Sequence, residues 1–140
     1  MGMTEQTGLA WTEGPPDPEG LYELYGSLGW NEFLGLDASA LAAAMAGSWL
    51  CVNVRLGTRL VGTGRIVSDG AINAWLCGVG VAPDLRGRGI GSGIVERLAS
   101  RARAAGLHLQ LMAEDDKVPY YEARGWVRFA VGMKAERPRA

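Results

Sequence analysis

The stretch from Val81 to Ser92, Val-Ala-Pro-Asp-Leu-Arg-Gly-Arg-Gly-Ile-Gly-Ser, constrains the fold more than any other part of the chain. It converts a strand-like run into a helix-like one across three closely spaced glycines. An apolar segment, Ala74 to Val81, turns at Pro83-Asp84. Beyond the glycines, Ile94, Val95, Leu98, Ala99 and Ala102 recur as the stripe of an amphipathic helix that stops at Gly106. Gly87, Gly89 and Gly91 remove the Cβ atoms that would hold a ligand off the backbone, and they permit φ > 0 where the loop must curl. Such a loop can aim several N–H groups at one point. With a helix N-terminus behind it and Arg86 and Arg88 beside it, that point suits an anion, best a phosphate. The helix end alone supplies only about 0.3–1 kcal/mol. Useful affinity therefore needs amides and arginines together.

Spacing narrows the type of site. The P-loop pattern fails because no Lys follows any of these glycines, and the dinucleotide pattern G-x-G-x-x-G meets Ser92 or Ile94 where its last glycine should stand. What remains is R-x-x-G-x-G on Arg86, Gly89 and Gly91, preceded by Val81-Ala82-Pro83. A second segment, Tyr120-Tyr121-Glu122-Ala123-Arg124-Gly125-Trp126, follows one helix and one strand later. On these residues the sequence resembles the GCN5-related N-acetyltransferase (GNAT) family, whose acetyl-CoA loop has the form [RQ]-x-x-G-x-[GA] and which carries [FY]-Y-x-x-x-G-[FW] downstream. The resemblance runs end to end and is strongest from Val79 to Trp126. It implies acetyl-CoA as co-substrate and no metal. Val79, Gly80 and Val81 would carry the pantetheine arm and the reacting carbonyl. Arg86, Gly87, Arg88, Gly89, Ile90, Gly91 and Ser92 would hold the pyrophosphate, and Tyr121 would donate a proton to the departing thiolate.

The order of elements agrees. Leu9 to Glu13 reads as a first strand, closed by Gly14-Pro15-Pro16; Asp17 offers a helix cap and Pro18 a first helical residue, although Gly20 and Gly26 weaken that helix. Gly29 to Phe33 reads as a loop, and Asp37 caps an Ala-rich helix to about Met45. Strands follow at Trp49 to Arg55, Arg59 to Val67 and Ala71 to Val81, the last placing Trp75, Cys77, Val79 and Val81 on one face and Leu76, Gly78 and Gly80 on the other. The glycines on that second face would leave a groove for a ligand chain or form a bulge. After the glycine loop and its helix come a strand, Leu107 to Met112, a short helix through Tyr120 to Arg124 that Gly125 ends, and a last hairpin from Trp126 to Ala135. The expected fold class is α/β (α+β), a mixed and mostly antiparallel sheet flanked by helices.

At 140 residues this is one expected domain, with 136–140 a tail carrying no structural signal. A net charge of −1 argues against nucleic acid as a partner, and no apolar run is long enough to span a membrane. The cytoplasm is the default compartment. Cys51 and Cys77 lack C-x-x-C spacing and read as reduced, buried thiols. In the resembling family the first two helices wall the acceptor pocket, which gives Tyr22, Tyr25, Trp30 and Glu32 a place in acceptor binding; these residues could equally only pack the helices on the sheet. Many relatives carry an acidic residue where this chain has Gly78, so Glu114 stands in as candidate base. The expected reaction is acetylation of a small primary amine. A CoA-binding sensor without turnover, or an enzyme acting on a protein N-terminus or lysine, are the alternatives, and dimers are common in the family.

Overall fold

Asp17 opens the first helix by accepting a hydrogen bond from the Gly20 N–H at 2.7 Å, with Pro18 in the first turn. A Cβ at position 20 would lie 2.7 Å from that same carboxylate. The glycine that weakens the helix in isolation is thus what lets the cap close. The structure, a computed structural model, describes residues 8–136. In it the chain divides into two compact units, the first ending at Gln110 and the second starting at Leu111.

The first unit is built on one sheet, β1 (Leu9–Glu13), β2 (Leu50–Leu56), β3 (Arg59–Ser68), β4 (Asn73–Val81) and β5 (His108–Gln110), in the order β1-β2-β3-β4-β5. The first three pairings are antiparallel, and β4 with β5 is parallel because a helix crosses between them. Helices α1 (Pro18–Ser27), α2 (Trp30–Leu34) and α3 (Ala38–Ala46) precede the central strands, and α4 (Ile90–Ala104) follows them. α3 starts at Asp37, whose carboxylate accepts from the Ala40 N–H at 2.8 Å. α4 buries Ile94, Leu98 and Ala102, the stripe visible in the sequence.

Three expectations change in this unit. Gly29 to Phe33 is not a loop: Gly29 and Gly35, both with positive φ, bracket the short helix α2. β5 is only three residues long. Most consequential, β4 is bulged. Thr63 pairs with Gly80 but Arg65 with Cys77, so one extra residue enters β4 there, and Gly78 takes φ +65°. The bulge shifts the alternation. Cys77 opposes Arg65, and Gly78 and Gly80 face Tyr25, Leu28 and Trp30, whereas Val79 and Val81 face α4.

In the second unit, residues 111–136 hold a single 3-10 turn (Asp115–Lys117) and α5 (Val118–Glu122). The expected hairpin over 126–135 is absent. Val127, Phe129, Val131 and Met133 do alternate, but they are 63–87% exposed. Ala130 and Val131 at the midpoint offer no residue suited to the positive φ of a two-residue turn, and Gly132 lies off-centre. Glu136 is exposed, and the remainder of the expected tail lies outside the described residues.

Candidate active site

The glycine loop leaves β4 through Ala82, whose N–H donates to the Val61 carbonyl at 2.8 Å, and makes a 3-10 turn over Pro83–Leu85 anchored by buried Leu85. Asp84 is held by Arg59 through two bonds of 2.8 and 3.0 Å, which lower its pKa below the usual carboxylate value. Arg86 is extended, and its Nε donates to the Val81 carbonyl at 3.3 Å. Gly87 and Gly89 have φ of +80° and +82°, and a Cβ on either would meet nothing within 4 Å. They are required by backbone geometry, not by crowding. Gly89 is the N-cap of α4 and no side chain caps the helix. A glycine N-cap brings no side chain to the start of this fifteen-residue helix, whose N-terminus favours an anion and has Arg88 beside it in sequence. This arrangement fits the pyrophosphate of a CoA, and Ile90, buried against the position of Gly62, holds the turn down.

One strand connects this loop to a second feature. The β4–β5 ladder ends at Trp75 and Gln110, so from Leu76 to Val81 β4 is paired with β3 alone. The bulge at Gly78 lies within that singly paired stretch. On its outer edge, which no strand covers, the Val81 carbonyl accepts from Arg86 Nε at the point where the strand leads into the loop.

On the face opposite α4, a cavity of about 330 Å³ reaches Gly78. Tyr25 and Trp30 form one wall, packed edge to face with ring centroids 4.9 Å apart. Phe33, Leu41 and Met45 supply an apolar wall from α2 and α3. Arg65 is the one charged lining residue. Its Nη1 donates to Ser48 Oγ at 3.2 Å, and its Nε is buried with no hydrogen-bond acceptor. Burial pushes the Tyr25 phenol up in pKa, partly opposed by Arg65. Burial likewise raises the Cys77 thiol despite Arg65 beside it, so Cys77 is poorly suited to act as a nucleophile. Both cysteines are free; Cys51 is buried as expected, whereas Cys77, at the bulge, is only half-buried.

The structure thus separates the four acceptor candidates. Tyr25 and Trp30 line the cavity. Tyr22 instead lines an open cleft with Asp17, Glu19 and Glu23, and Glu32 is exposed and outside the cavity lining. Arg65 was not among them, although a lone charge in the apolar run from Leu60 to Val67 is the signal that points to it.

Within the second unit, Tyr121 packs edge to face with Tyr120 and Trp126, at 5.1 and 6.0 Å between centroids. Burial raises its phenol pKa, Tyr120 adds to the effect and Arg124 opposes it. Glu114 is exposed at the start of the 3-10 turn, next to Asp115 and Asp116. Among the described residues no cluster of His, Cys, Asp and Glu is arranged to hold a metal, and no helix is long and apolar enough to cross a membrane.

The sequence profile of the acetyltransferase (GNAT) family matches residues 10–126. The chain belongs to that family. Solved structures agree in fold. A Staphylococcus aureus protein of unknown function superposes with a TM-score of 0.76 at 19% identity, over 92% of this chain and 99% of its own. A GNAT-family acetyltransferase of Streptococcus pneumoniae gives 0.72 at 22% identity, over 94% and 99%. An uncharacterised N-acetyltransferase of Porphyra purpurea is 35% identical over 78 residues, which is 55% of this chain. The match spans 45% of that relative, less than half its length. The five-stranded mixed sheet flanked by helices is the GNAT architecture.

Proposed function

We propose that the chain transfers an acetyl group from acetyl-CoA to the primary amine of a small molecule by direct attack. The observation that carries this reading is the layout of β4. At its C-terminal end lies a helix start with a glycine N-cap behind two open, positive-φ glycines, along its length a singly paired edge, and at its bulge a half-open cavity. Acetyl-CoA would supply the acetyl group as a thioester. The loop amides with Arg86 and Arg88 bind its pyrophosphate, and the β4 edge aligns the pantetheine arm. An N–H near Val79 donates to the carbonyl oxygen as charge builds there, a contribution of about 3–4 kcal/mol in comparable sites. The amine N–C bond forms, the C–S bond breaks, and the thiol leaves protonated.

Two proton movements remain. A lysine-like amine is neutral in about one molecule in 10³ at pH 7, a cost of roughly 4–5 kcal/mol, and Glu114 is the group assigned to take its proton through water. Tyr121 is assigned to the leaving sulfur. Its raised pKa keeps the phenol protonated, so it acts chiefly as a hydrogen-bond donor that completes transfer late. The aromatic and apolar lining of the cavity on the α1 side supports a small acceptor with an apolar body.

Thiol release from acetyl-CoA, measured with a panel of primary amines, tests the reading. Amine-dependent release is expected. Tight CoA binding without it would instead identify a sensor. In an active protein, Tyr121→Phe should lower kcat by about 10²-fold while leaving CoA affinity unchanged, and equal turnover would remove its assigned role.

A further inference from the structure

The cavity beside Gly78 combines two properties that seldom coincide. Its walls are apolar and aromatic, from Trp30, Phe33, Leu41 and Met45, yet a guanidinium sits in it. A guanidinium is a permanent cation with five N–H donors and no acceptor. Among the described residues no carboxylate pairs with it. Its Nη1 is spent on Ser48, a neutral hydroxyl, and its buried Nε has no acceptor at all. A buried donor left without a partner carries a real cost. The cavity also contains no Asp or Glu to welcome a second positive charge.

We infer that this cavity selects an amine that also carries a carboxylate and an apolar body, with Arg65 as the carboxylate receptor. The inference rests on the acetyltransferase reading and specifies its acceptor class. Position argues for a short spacing between the two groups. Arg65 Nε lies 3.6 Å from where a Cβ on Gly78 would stand, one residue before Val79 and the amide edge assigned to the reacting carbonyl. A carboxylate held there is only a few bonds from the attacking nitrogen, as in an α-amino acid. The side chain of such a molecule then points toward Leu41 and Met45, and Trp30 and Phe33 cover it. A polyamine would bring its charge against Arg65, so the geometry disfavours it.

The test pairs acceptors that differ only in the carboxylate: leucine, methionine and phenylalanine against 3-methylbutylamine, 3-(methylthio)propylamine and 2-phenylethylamine, with spermidine and 2-aminoethyl phosphate alongside. kcat/KM for the amino acids should exceed that of their carboxylate-free partners by about 10²-fold or more, as for sites built around a substrate's polar group. Arg65→Gln should raise KM for the amino acids by a similar factor, change kcat less, and so close most of the gap between each amino acid and its carboxylate-free partner; Arg65→Lys should recover part of the loss. Equal use of both members of each pair, preference for the phosphate or for spermidine, or equal loss on all acceptors in Arg65→Gln would overturn the inference while leaving the acetyltransferase reading intact. If no amine is acetylated, calorimetric binding of phenylalanine to the CoA-loaded protein decides the matter. Binding that Arg65→Gln abolishes supports the receptor although the acetyltransferase reading has failed; no binding to the wild type overturns it.

Discussion

The two faces of the sheet are covered by helices in different ways. α4 lies directly on β3: a Cβ on Gly62 would come within 3.1 Å of Ile90 and Ile94, and one on Gly64 within 2.6 Å of Ile94. On the other face a Cβ on Gly80 would come within 2.5 Å of Leu28 and 3.0 Å of Trp30, yet beside Gly78 the helices leave the cavity. Both faces use glycine to let helices approach, and only the second keeps open space next to it. The glycines of the loop form a third case, since Gly87 and Gly89 have open space around them and are needed for their positive φ. The comparison teaches that a glycine count says little about function until space and dihedral angle are known for each position.

The largest expected effect belongs to the loop. Gly89→Val places a β-branched residue at φ +82°, strained by about 1–2 kcal/mol, and puts its side chain where an anion must approach the amides. CoA affinity should fall by about a hundredfold or more in calorimetric titration, equivalent to roughly 2.7 kcal/mol. The domain should still fold, because nothing in the protein lies within 4 Å of the new Cβ. Retained affinity would remove the loop from the CoA site.

Gly64→Ala probes the packed face and should do the reverse. The added methyl meets Ile94 Cγ2 at 2.6 Å, and Leu98 and Val79 at 3.2 Å, with no flexible chain end to yield. Overpacking of this kind costs about 1–3 kcal/mol. The melting temperature should drop by several degrees while CoA affinity per folded molecule is kept. A variant as stable as the wild type would show that α4 rides higher on the sheet than described.

How much of this was legible in the sequence follows from the same distinction. Caps at Asp17 and Asp37, the turn at Gly57 and the boundaries of α4 are local chemistry, and each lies where the residues indicate. The loop's motif was legible because its spacing is short and contiguous. The bulge was only half legible. Gly78 signals an irregularity, but whether β4 slips by one residue depends on pairing with β3, which alternation alone does not report. Arg65 escaped notice because its meaning depends on what faces it across the cavity, and those residues come from α1 to α3, twenty or more positions away. The false hairpin at 126–135 shows the converse: alternation without a turn residue or a partner strand gives exposed apolar side chains.

The smallest predicted effect lies on the cavity side, at the cap of α1, the helix that carries Tyr25. Asp17 accepts from the Gly20 N–H and pairs with Arg55, and these two interactions, in that order, hold its pKa below 3.8. A depressed carboxylate stabilises the fold fully above its unfolded value, and that contribution is lost as pH falls through the folded value. Asp17→Ala should therefore cost about 1 kcal/mol at pH 7, the usual worth of a cap. Asp17→Asn keeps the cap oxygen and should cost less, since the exposed ion pair with Arg55 is largely screened by solvent. Urea denaturation from pH 7 down to 2 separates the terms. Wild type minus Asp17→Asn should be constant above about pH 4 and shrink below it. A difference that grows on acidification would mean the carboxylate is not what holds the N-terminus of α1. A difference of zero throughout would assign the cap to its neutral oxygen alone, and the cavity wall would then keep its footing at acid pH while the loop face, with Asp84 held by Arg59, loosened first.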